Sequence, residues 1–198
     1  MPGAVNRNDP RVQRTRQLLL HAFMALLEER HNIHSISVQE ITTLATVNRA
    51  TFYAHFEDKY ALLESWMREK FHRTLLSQLP ASSTLQINTL RLLILAVFDF
   101  LARFRGQLKP ADRQFEPLFE IALQQELYEI LFLWLKRKSS EIHVGEETVE
   151  TTAQVISWAI FGPATQWSRG NRTISAEEMT HRVLSVVIAG LSPVITVT

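Results

Sequence analysis

The sequence predicts an all-α protein, an N-terminal three-helix bundle followed by a larger helical bundle. Three observations predict it. Apolar residues recur at steps of three and four along almost the whole chain, the period of a helix with one buried face; only Ile33 to Val38 shows a short two-residue alternation. Glycine and proline punctuate the chain rather than fill it, with Pro80, Gly106, Pro110, Gly145, Gly170 and Pro193 at the joints. Two serines each stand three residues before a glutamate, Ser37 with Glu40 and Ser175 with Glu178, the form of a capping box at a helix start.

The first helix is expected from about Asp9 to Arg30, with Leu19, Ala22, Phe23, Leu26 and Leu27 as its apolar stripe and arginines on its outer face. After a loop around His31 to Ile36, the Ser37 box starts a second helix near Val38, which buries Ile41, Leu44 and Ala45. It can hardly pass Thr46, because Asn48 is a good N-cap and opens a third helix, Arg49 to His55. A fourth begins at the cap Asp58 and turns Tyr60, Leu63, Met67 and Phe71 inward as far as about Ser77. Pro80 to Ser83 is then the joint between two domains, 1–80 and 81–198.

Beyond the joint, helices are expected at about Thr84 to Phe104, Phe115 to Lys138 with a possible break near Gln124, Glu147 to Trp167 and Ala176 to Leu191. Gly162-Pro163 lies inside the third of these, where the missing amide donor should kink or break it. That helix and the last one are apolar on almost every side, so each must be covered from more than one direction. A central helix of a monomer and a two-fold dimer interface both satisfy the pattern.

Composition narrows the class. The chain is 46% hydrophobic and 21% charged, as in an ordinary globular protein. It has no cysteine, which excludes a disulfide framework and thiolate metal sites. No signal-peptide pattern and no apolar run of membrane-spanning length appears, and a cytoplasmic protein is expected. The seven histidines show no metal spacing, and neither a phosphate loop nor a nucleophile elbow is present; no enzyme, no metal and no cofactor is expected. Net charge is only +1, so a nucleic-acid partner must be argued locally. Arg7, Arg11, Arg14 and Arg16 cluster near the start against the single acid Asp9.

The local argument lies in helix, tight turn, helix. The tip of a helix that enters a major groove must be small or polar, since long apolar groups bar close approach. Arg49, Ala50 and Thr51 have that character: a guanidinium for a guanine edge or a phosphate, and two methyls for thymine. Tyr53, His55 and Lys59 follow, positioned to hold phosphates. Phe52 and Phe56 face the other way. Tyr53 and His55 taken alone also read as a half-buried aromatic pair in a bundle.

The string Asn48-Arg49-Ala50-Thr51-Phe52-Tyr53-Ala54-His55-Phe56-Glu57-Asp58-Lys59, with Val38-Gln39-Glu40-Ile41 and Arg14-Thr15-Arg16 upstream, resembles the recognition-helix region of the TetR family of bacterial transcriptional regulators. Weaker resemblance continues at Trp167-Ser168-Arg169-Gly170 and Ser175-Ala176-Glu177-Glu178. The resemblance implies a homodimer that binds double-stranded DNA at a palindromic operator as a repressor and releases it when a small-molecule effector binds. It implies base-edge contacts from Arg49, Ala50 and Thr51, and phosphate contacts from Asn48, Tyr53, His55, Lys59, Ser37 and Thr15 or Arg16. One departure stands at Thr46, where the family usually has glycine.

The resemblance also places Phe98, Phe104, Phe119, Trp134 and Trp158 around an effector pocket, where an apolar or aromatic ligand fits. It makes the last two helices the dimer interface, with Trp158, Phe161, Trp167, Val183, Val187 and Leu191 as its residues. The alternative reading is a helical small-molecule-binding or interaction protein that has lost DNA binding.

Overall fold

The computed structural model describes residues 9–30, 32–80, 85–107, 110–142 and 144–191, without the side chains of 107, 110–112 and 139–142. Arg7 and Pro193 lie outside the described residues. Among the described residues there is no strand. Eight α-helices follow one another: α1 (Pro10–Arg30), α2 (Val38–Leu44), α3 (Arg49–His55), α4 (Lys59–Ser77), α5 (Ile87–Gln107), α6 (Glu116–Ile142), α7 (Glu146–Arg169) and α8 (Ala176–Gly190). They gather into two compact units, which divide between Met67 and Arg68 inside α4.

In the first unit α1 packs on α2, and α2 on α3. Leu19, Leu20, Phe23 and Leu26 of α1 are buried, as are Ile41, Phe52, Phe56, Leu62 and Leu63. The alternation at Ile33 to Val38 is a 3-10 turn, Ile33–Ser35, capped by the Asn32 side chain, which accepts from the His34 amide at 2.9 Å. Ile33 and Ile36 stand three residues apart, so a period of three puts both in the core.

The Ser37 box forms reciprocally: the Glu40 amide donates to Ser37 Oγ at 3.2 Å, and the Ser37 amide to Glu40 Oε2 at 2.8 Å. On α2 the structure buries Ile41 and Ala45 as expected, but Leu44 is 53% exposed and Thr42 is buried in its stead. The Thr42 hydroxyl tolerates this because it donates to the Gln39 carbonyl at 3.0 Å.

The turn after α2 has the two bonds of a Schellman stop, Val47 N to Thr42 O at 3.0 Å and Thr46 N to Thr43 O at 3.2 Å. Such a stop needs a left-handed residue. Thr46 adopts it, with φ 57°.

In the second unit α7 packs against α5, α6 and α8. Val149, Ala153, Ile156, Ile160, Phe161 and Ala164 line its inner side. The chain crosses Gly162-Pro163 as one unbroken helix, Glu146–Arg169. A Cβ built on Gly162 would meet nothing within 4 Å. α6 is also unbroken at Gln124, whose buried amide donates sideways to Ser157 Oγ of α7 at 3.1 Å, so the polar side chain is satisfied without opening the helix. Ser175 caps α8 by accepting from the Glu178 amide, while the Glu178 carboxylate turns to Arg182.

Candidate nucleic-acid interface

The surface that can meet a duplex is built from α3 outward. Asn48 Oδ1 accepts from the Thr51 amide at 2.7 Å and from Thr51 Oγ1 at 2.8 Å, which satisfies a first-turn donor and holds the threonine rotamer. Phe52 is fully buried and Phe56 nearly so, their rings 5.9 Å apart. Burying each is worth about 2–3 kcal/mol, and together they fix which face of α3 points away. That face carries Arg49 and Ala50, both exposed, with Thr51 half-buried beside them.

Arg49 is already oriented. Its Nη2 donates to the Tyr53 hydroxyl at 3.2 Å, one helical turn on, and its guanidinium lies 5.6 Å from the Tyr53 ring centre. Tyr53 is 49% exposed and edge-on to Phe52. His55 is half-buried, and burial followed by the neighbouring Arg16 charge lowers its pKa below the ordinary histidine value. Thr15 is half-buried and donates to the Arg11 carbonyl at 3.0 Å. Ser37 is exposed and holds the α2 cap.

Two of the expected phosphate contacts are turned inward. Lys59 donates to the carbonyls of Ile33 at 2.9 Å, His34 at 3.2 Å and Ile36 at 2.7 Å, and an ammonium has only three donors. Arg16 lies 4.5 Å over the Phe56 ring and donates to Ser65 Oγ. Both cations tie α1, α4 and the Ile33–Ser35 turn behind α3. Their partners are 23 to 49 residues away, so no local spacing announces them.

Residues 19–65 match the family model described as bacterial regulatory proteins, tetR family. The match lies in the segment that holds α2, α3 and the start of α4. A 60-residue stretch is also 38% identical to the uncharacterised HTH-type transcriptional regulator YxbF of Bacillus subtilis, and spans 30% of this chain and 16% of that relative. Over 89–90% of the chain the fold is similar to that of solved tetR-family proteins. The repressor AlkX from Dietzia matches with TM-score 0.56 at 16% identity, covering 90% of this chain and 98% of its own. The repressor FadR of Thermus thermophilus, solved in complex with lauroyl-CoA, matches with TM-score 0.51 at 22% identity, covering 89% and 94%.

In the second unit the expected pocket residues divide. Phe98, Phe119 and Trp134 are buried, and Phe104 joins Phe119 edge-on at 5.3 Å. Trp158 is 50% exposed. Of the expected interface residues, Phe161, Val183, Val187 and Leu191 are buried within the chain itself. Trp167 packs on Phe98 at 5.3 Å and donates its indole N–H to the Ile174 carbonyl at 2.8 Å. The large apolar side chains that α7 and α8 do expose are Val155, Trp158 and Val186. Among the described residues no group of three or more histidines and carboxylates is placed to hold a metal ion, and no helix is long and apolar enough to cross a membrane.

Proposed function

We propose that the chain is a DNA-binding transcriptional regulator, a repressor that sits as a homodimer on a palindromic operator and leaves it when a small-molecule effector binds. The observation that carries this reading is the exposed first turn of α3. A guanidinium, a methyl and a threonine stand there on an Asn48 cap, with two phenylalanines anchoring the helix from behind. Arg49 is the base-edge candidate, with Ala50 and Thr51 beside it, and Tyr53 both orients Arg49 and offers its hydroxyl to a phosphate. Asn48, Ser37, Thr15 and His55 line the rim. Lys59 and Arg16 act by holding α3 in place.

Pairing is proposed through the outer face of α7 and α8, where Val155, Trp158 and Val186 are exposed, in a two-fold four-helix contact. The effector is proposed to be apolar. Phe98, Phe104 and Phe119 supply aromatic walls, and a fold relative was solved with lauroyl-CoA. Selection from random duplexes, followed by binding of the selected sequence, tests the reading. A palindromic motif is expected, with loss of binding in Arg49→Ala and a steep fall of affinity with salt. Failure to enrich any duplex, with the protein folded, would refute it.

A further inference from the structure

We infer that Thr51 reads an amino-bearing base, cytosine or adenine, on the contacted strand, and that its bond to Asn48 is what restricts it to that class. This rests on the reading above that the exposed α3 face meets the major groove. What each side chain of that face can still offer depends on the hydrogen bonds it has already made.

The Thr51 amide meets Asn48 Oδ1 at 2.7 Å, and the Thr51 hydroxyl meets the same atom at 2.8 Å. A backbone amide can only donate, so the shared atom is the carboxamide oxygen, which carries no hydrogen and can only accept. The hydroxyl therefore gives its single proton to Asn48. Both lone pairs of Asn48 Oδ1 are filled, which leaves Asn48 with N–H donors alone and the Thr51 oxygen with lone pairs alone. Thr51 is half-buried, and the bond to Asn48 holds its rotamer.

The neighbours are left with the opposite polarity. Arg49 gives one guanidinium donor to the Tyr53 hydroxyl at 3.2 Å. A guanidinium cannot accept, so the phenol keeps its own proton to donate. Asn48, Arg49 and Tyr53 thus all offer donors, which suit phosphate oxygens and the O6 and N7 of guanine. Thr51 suits none of these, since an oxygen that has spent its proton can bond neither a phosphate nor a carbonyl on a base. The hydrogen-bond donors that bases present in the major groove are the N4 amino group of cytosine and the N6 amino group of adenine. Thr51 is therefore specific for amino over keto bases, a selectivity that Asn48 imposes without touching the base.

The test measures the affinity of the full-length protein for its selected duplex with every base pair replaced in turn. The unaltered protein is expected to show a guanine preference that Arg49→Ala removes and, within about two base pairs of it, a preference for amino over keto bases of roughly fivefold or more. Thr51→Val keeps the shape of the side chain and deletes the hydroxyl. It should reduce the amino preference to about twofold or less and leave the guanine preference in place, whereas Thr51→Ser should retain both. Asn48→Gly, a replacement that a cap position tolerates, frees the hydroxyl proton and should admit keto bases at the same pair; it carries the test if Thr51→Val does not fold. A merely structural role, or a phosphate contact, would weaken binding to every sequence alike. Such uniform weakening in folded Thr51→Val, or a keto preference at the pair it alters, overturns the inference alone. An unaltered protein that enriches no duplex overturns the DNA-binding reading and this inference together.

Discussion

Thr46 is a β-branched residue in left-handed backbone, a conformation that costs a non-glycine residue about 1–2 kcal/mol. It persists because the Schellman bonds around it are already made by the chain. Thr46→Gly should therefore stabilise the fold by about 0.5–1 kcal/mol once glycine's extra unfolded-state entropy is subtracted. A higher denaturant midpoint at unchanged slope would show it. His55 carries a second prediction. Burial and Arg16 disfavour its charged form in the free protein, whereas a phosphate beside it would favour that form. DNA binding should then take up a proton, and affinity should rise as the pH falls through the range where histidines titrate. His55→Gln should flatten that dependence in a binding titration.

At the scale of elements, the α2 start is charged as well as capped. Hydrogen bonds from Ser37, and then the Arg30 guanidinium, hold the Glu40 carboxyl at about 2 against an ordinary 4.5. The folded protein binds this proton less readily than the unfolded chain. The stabilisation is therefore complete above pH 4.5 and is lost as the pH falls toward 2. In acid unfolding, Glu40→Gln should be less stable than the unaltered protein at neutral pH and converge with it at the acid end.

This box, the Asn48 cap and the α3 boundaries were readable in the sequence because a cap is a contact between residues three apart. The inward turn of Lys59 and Arg16 was not, since their partners lie across the unit. Nor could periodicity divide α7 and α8 between own core and outer face. Phe161 and Val187 look no different in sequence from Val155 and Val186, yet the first two are buried and the last two exposed.

At the scale of the whole molecule, Gly162 discriminates between one copy and two. Within a single chain a Cβ at this position meets nothing within 4 Å, so a larger residue should leave the isolated fold intact, even gaining a few tenths of a kcal/mol in helix propensity. Gly162 lies near Val155 and Trp158 on the outer side of α7, where a second copy would approach closely. Gly162→Leu is thus expected to keep the circular-dichroism spectrum and to shift the sedimentation mass from two chains toward one.

Arg105 bonds to Glu116, to Glu120 at 2.6 Å and to Ser168 at 2.7 Å, and Arg169 reaches Glu120 at 2.7 Å. Because Arg105 and Glu116 stand at the two ends of the α5–α6 connection, this rivet already brings together the points that the intervening segment has to join. Residues added beside the 3-10 turn Pro110–Phe115 would form a flexible loop whose closure cost grows only logarithmically, about 0.6 kcal/mol per doubling of its length. The connection is the natural place to graft a reporter peptide without disturbing either α3 or the outer face of α7 and α8 through which pairing is proposed.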